Sequence, residues 1–169
     1  MRSVLRQAQG APRFSRGALR QAQGAPRISR AAFRSKLRVE DDGGFPFTLL
    51  EPLVYDSAVL NGTVIVPAGF RTDFASIPRG LWNILPPVGK YDAGAVCHDL
   101  LYREGAFNGR AIDRADADNV LREAMEVCGV GRAQRWLIYA GLRVGGWVVW
   151  KRYRRASREG RQKSLVISR

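Results

Sequence analysis

Apolar and polar positions change their spacing twice along this chain. "FPFTLLEPLVY" (45–55) and "GTVIVPAGF" (62–70) are dense in β-branched and aromatic residues and predict two strands. Asn61-Gly62 between them is a strong hairpin-turn dipeptide. "RTDFASIPRGLWNIL" (71–85) predicts a strand end or loop, then a short helix with Pro78 in its first turn. Beyond that the apolar period becomes helical. "YDAGAVCHDLLY" (91–102) predicts a helix that Asp92 caps and that stops near Gly105. "IDRADADNVLREAMEVCG" (112–129) predicts a second, its apolar stripe running through Ala117, Leu121, Ala124, Met125 and Cys128 up to a terminal glycine. A third covers roughly 131–150, aromatic on one side and interrupted at Gly145-Gly146. The expected fold class is α+β: a small antiparallel β-sheet followed by three to four packed helices.

Length and charge refine this outline. A chain of 169 residues suits one domain. Its net charge of +13 is unevenly placed: residues 1–38 hold ten Arg/Lys and no acid, 151–169 hold eight against one Glu, and 39–150 has a net charge of −4. The expected organisation is therefore a basic, disordered tail (1–38), one α+β domain (39–150) and a basic C-terminal tail (151–169). Such tails either attach nonspecifically to nucleic acid, anionic lipid or acidic partners, or are simply solvated. Within the first, "LRQAQGAPRFSR" (5–16) recurs as "LRQAQGAPRISR" (19–30). Two polar, Gly/Pro-broken copies build no solenoid, and they read equally as a basic arm or as translated repetitive DNA.

Cys97 and Cys128 are too few for a disulfide scaffold, so buried free thiols are the first expectation and one bridge between their helices the second. No long apolar stretch of a secretory signal is present, and "WLIYAGLRVGGWVVW" (136–150) is short of the ~20 residues of a membrane span. The expected compartment is the cytoplasm.

His98, in "AVCHDLLYREG", is the only histidine. Residues four apart share a helix face, so His98 and Tyr102 lie together, with Gly94 a turn earlier leaving room for either a substrate or a packed helix. Asp99 projects about 100° away from His98, so another carboxylate must orient the ring, and Asp99 is free for a task such as holding a cation. Asp118 is the candidate: it lies roughly 80° from the centre of the second helix's stripe, whereas Asp116 points to solvent. A carboxylate at the margin of a buried face needs a partner. The bland reading is a surface ladder of Arg114, Asp118 and Arg122. One histidine excludes multi-histidine metal sites, and a Ser–His–Asp triad would need Ser76. A single imidazole suffices to activate water, with an Asp fixing its tautomer and a hard cation on Asp99 stabilising an oxyanion.

"HDLLY" (98–102) with "ADNVL" (117–121) resembles the phospholipase A2 pattern of an HDxxY helix facing a second helix that bears an Asp. The resemblance implies His98 as base, Asp99 as calcium ligand, and Tyr102 and Asp118 as supports, with phospholipid or an anionic membrane surface as partner. Calcium would need loop carbonyls, for which "LPPVGKYD" (85–92) offers only Gly89 and its neighbours. The paired cysteines of the secreted enzymes are absent. A broader resemblance spans roughly 45–150. "VPAGFRTDFASIPRGLW", "LPPVGKYDAGAVCHDLLYREG" and "ADNVLREAM", in order, are similar to domain-of-unknown-function family 1353 of bacteria, prophages and tailed phages. It implies a phage setting without an activity: an accessory hydrolase, a virion or tail component partnered by phage structural proteins, or a factor at the envelope.

Three features remain. Asp73, at a strand end before a turn, either caps the following amides or reaches His98 as a further catalytic residue. Arg79 pairs with a core carboxylate or holds a substrate anion. Trp136, Tyr139, Trp147, Trp150 and Tyr153 stand among Arg143, Lys151, Arg152, Arg154 and Arg155. That mixture suits a core cover, an anionic bilayer or nucleic acid.

Overall fold

The computed structural model describes residues 27–40, 46–72 and 89–167, with side chains up to residue 157. In chain order the elements are β1 (Ala32–Phe33), β2 (Val39–Glu40), β3 (Phe47–Leu49), β4 (Leu53–Ser57), β5 (Gly62–Val66), β6 (Arg71–Thr72), α1 (Asp92–Glu104), β7 (Ala106–Phe107), β8 (Arg110–Ala111), α2 (Arg114–Val127) and α3 (Arg132–Ile167). The fold is α+β. Its strands form two three-stranded antiparallel sheets, ordered β1-β4-β5 and β2-β3-β6, and a separate hairpin β7-β8.

The 45–55 run divides between the two sheets because Pro52 has no amide hydrogen to give a ladder. On β4 and β5, Leu53, Tyr55, Val64 and Val66 point inward while Thr63 and Ile65 face out, as a period of two requires. Asn61 makes the turn between them, at φ 48° in the left-handed region that asparagine tolerates. A second Asn-Gly pair, Asn108-Gly109, with φ 48° and 77°, turns β7 into β8. Sequence reading passed over this hairpin, although the dipeptide is the same signal.

Inward residues of the sheets meet Ala95, Val96, Cys97 and Leu101 of α1 and Ala117, Val120 and Ala124 of α2 in one core. Gly94 serves the packing of those helices. A Cβ there would lie 3.0 Å from Ala124 Cβ and 3.1 Å from Leu121 Cδ1, so the room beside it is filled by α2. Glu123 ties α2 to the β4–β5 turn. Its Oε2 accepts from Tyr55 Oη at 2.9 Å and Ser57 Oγ at 2.8 Å, and its Oε1 from the amides of Ala58 and Val59, each at 3.0 Å.

Helix ends differ in detail from expectation. Tyr91, not Asp92, is the N-cap of α1; Asp92 is its first residue, and its Oδ1 accepts the Gly89 amide at 2.8 Å. Gly105 ends α1 in the left-handed region, with φ 58°. Asp113 caps α2 in a reciprocal box with Asp116, whose carboxylate accepts the Asp113 amide at the exposed start of the helix. The glycine pair at 145–146 does not interrupt α3, which runs for 36 residues.

The sheet also begins before residue 39, since β1 pairs with β4. The basic stretch after 150 continues α3 rather than leaving the fold. Within it, Arg154 caps α1, donating to the carbonyls of Tyr102 at 2.7 Å, Arg103 at 2.6 Å and Glu104 at 2.8 Å. Both cysteines are free thiols.

Candidate functional site

All three helices contribute to one buried cluster. From α1 come His98 and Tyr102, a turn apart, their ring centroids 4.0 Å from each other. From α2 comes Asp118, which is 0% exposed. Its Oδ1 lies 3.1 Å from His98 Nε2 and accepts the Tyr102 hydroxyl at 2.5 Å. Its Oδ2 accepts Arg143 Nη1 of α3 at 3.0 Å and stands 3.6 Å from Arg114 Nη1. Arg114 also donates to the carbonyl of Leu142 at 2.8 Å. The edge of Trp150 packs on Tyr102 at 5.1 Å between centroids.

The electrostatics follow from these contacts. Burial alone would raise the Asp118 pKa, but hydrogen bonds from His98, Tyr102 and Arg143 hold it below the usual carboxylate value. Burial, and then the same carboxylate, push the Tyr102 phenol upward, so it remains a donor. Because an ionised carboxylate only accepts, Nε2 is the ring nitrogen that donates to Asp118, and in the neutral form of the ring the lone pair falls on Nδ1. His98 is 3% exposed, and its Nδ1 is buried with no hydrogen-bond partner among the described residues.

Asp99 lies on another face of α1, where its Oδ2 accepts the Thr72 hydroxyl of β6 at 2.6 Å. Gly89 precedes α1, and its carbonyl accepts the Asp92 amide at 3.1 Å. Among the described residues, no three His, Cys, Asp or Glu side chains are grouped to hold a metal ion. Asp73, Ser76 and Arg79 lie outside the described residues.

Asp118 sits deeper than the flank position expected of it, and it is not part of a surface ladder. Arg114 does reach it, but Arg122 stacks over Tyr139 at 5.6 Å. Sequence reasoning missed Arg143 and Gly146. Arg143 is the single charge in the apolar run 136–150, and that isolation was the available signal. Gly146 gives the site its space: a Cβ there would come within 2.7 Å of Tyr102 Oη.

A family model described as "Protein of unknown function (DUF1353)" matches residues 47–142. The chain belongs to that family. The matched segment holds His98, Tyr102, Arg114 and Asp118, and ends one residue before Arg143 and short of Gly146 and Trp150. No curated protein and no solved structure matches the chain. Among the described residues, no helix is long and apolar enough to cross a membrane.

Proposed function

We propose that the protein is an ester hydrolase whose general base is His98, acting in the manner its phospholipase A2-like HDxxY helix suggests. One observation carries the reading: Nε2 is committed to a charged, buried Asp118, while Nδ1 is buried and, among the described residues, unbonded. Leaving a buried acceptor unsatisfied costs about 1–3 kcal/mol, which a structural histidine would avoid and a base must bear.

In this reading Nδ1 takes a proton from water as the water oxygen bonds to the ester carbonyl carbon. Asp118 stabilises the imidazolium through Nε2–H and stays ionised itself. The tetrahedral intermediate collapses as the C–O bond to the alcohol breaks, and the imidazolium returns the proton to that leaving oxygen. Tyr102 and Arg143 are positioning residues that fix the carboxylate.

A second reading treats the cluster as a noncatalytic strut of an assembly protein, favoured by the near-complete burial of both the ring and the carboxylate. Ester release by the full chain, with and without added calcium, separates the two when paired with thermal unfolding of His98→Gln. Catalysis predicts that His98→Gln loses at least ~10²-fold in rate with the fold retained. No release by the unaltered chain from any ester, together with a large fall in Tm for the variant, selects the strut.

A further inference from the structure

The outer face of α3 is apolar from Trp136 to Val148, a little over three turns. At 100° per residue, Trp136, Leu137, Ala140, Val144, Trp147 and Val148 fall within one arc of roughly 120°, opposite the side that carries Tyr139, Gly146, Trp150 and Tyr153. The arc faces water: Trp136 is 71% exposed, Val144 78%, Trp147 50% and Val148 54%. Of the aromatic group, Trp150 and Tyr153 pack against the core, Trp150 beside Tyr102. The arc then turns cationic. Lys151 lies over the Trp147 ring at 4.8 Å, Arg152 and Arg155 are exposed beside it, and residues 151–169 hold eight Arg/Lys against one Glu.

We propose that this face docks on an anionic phospholipid bilayer surface, with Trp136 and Trp147 at the headgroup level, the valines between them on the acyl boundary, and Lys151, Arg152 and Arg155 on lipid phosphates. Three arguments select that occupant. The apolar and cationic parts are consecutive along one rigid helix, as in a helix lying in the membrane plane. A nucleic-acid surface would interleave cations among its stacking rings, whereas this arc holds exposed aliphatic side chains, and Arg143, which flanks it about 20° from Trp136, is engaged by Asp118. A second copy needs about 800 Å² from each partner, and an apolar strip one helix wide and about 18 Å long falls short of it. The proposal stands independently of the hydrolase reading.

The test is cosedimentation of the full chain with vesicles of phosphatidylglycerol and phosphatidylcholine against vesicles of phosphatidylcholine alone. Binding to the anionic vesicles, weakened at least tenfold both by Trp136→Ser with Trp147→Ser and by Lys151→Glu with Arg155→Glu at unchanged Tm, is the expected result. These side chains are exposed, so the fold survives their replacement. Equal binding by the tryptophan variant would reduce the effect to diffuse charge and overturn the proposal. So would absent binding, a dimer that the tryptophan variant dissociates, or duplex DNA binding that needs the same tryptophans.

Discussion

Asp118 and His98, twenty residues apart and on different helices, meet at 3.1 Å inside the protein. The same carboxylate binds Tyr102 and Arg143 and lies beside Arg114, so one side chain joins α1, α2 and α3. Removing one partner of such a buried ionic group leaves the others uncompensated. Asp118→Ala is therefore expected to lower stability by roughly 3–5 kcal/mol, read as a fall in the urea midpoint. A change indistinguishable from a surface alanine substitution would disprove the role.

The Glu123 carboxylate satisfies two hydroxyls and two turn amides. Glu123→Ala orphans the Tyr55 hydroxyl, and a loss of about 2–4 kcal/mol is expected from bonds of this charged kind. Amide exchange should accelerate at Ala58 and Val59 first, because their acceptor is gone.

The neighbouring glycines of α3 should respond with opposite signs. A Cβ at Gly145 meets nothing within 4 Å, so Gly145→Ala gains about 0.5–1 kcal/mol of helix propensity. At Gly146 the added carbon meets Tyr102 Oη at 2.7 Å, and the same substitution destabilises by displacing the phenol from Asp118. Parallel melts of the two variants decide this.

Arg154 links the basic C-terminal stretch to the end of α1. Arg154→Ala should cost about 1–2 kcal/mol by uncapping three carbonyls beside a helix C-terminus. Faster exchange across the last turn of α1, with α2 unchanged, is the local signature. Gly105→Ala should produce a similar defect, since its Cβ would occupy the position of the Arg154 guanidinium and φ there is positive.

Asp92 carries a pH dependence of the less usual sign. Burial raises its pKa to about 6, opposed only by the Gly89 amide. The folded state therefore binds the proton more tightly than the unfolded chain. Its contribution is fully present below the unfolded value near 4 and is lost as pH rises through about 6. Asp92→Asn, whose amide oxygen still accepts from Gly89, should be more stable than the unaltered chain at pH 7 and should flatten the profile between about 4 and 6. Asp118, held below its usual value, acts oppositely and supplies stability that disappears in acid. Denaturant midpoints across pH 3–8 resolve the two (~4 marks the crossover).

Local chemistry was enough for much of the outline. Period and turn dipeptides define the β4–β5 hairpin, the apolar stripe defines α2, and the i, i+4 spacing alone puts His98 and Tyr102 on one face. These features depend on neighbours in sequence, where backbone geometry is the same in any context. The course of α3 through Gly145-Gly146, the depth of Asp118, the arrival of Arg143 and the capping by Arg154 were decided by contacts between elements. A glycine reads as a helix breaker until a phenol is found beside it, and a flank carboxylate reads as half-exposed until a third helix covers it. Periodicity specifies which way a side chain points from its own helix; only packing specifies what it meets there.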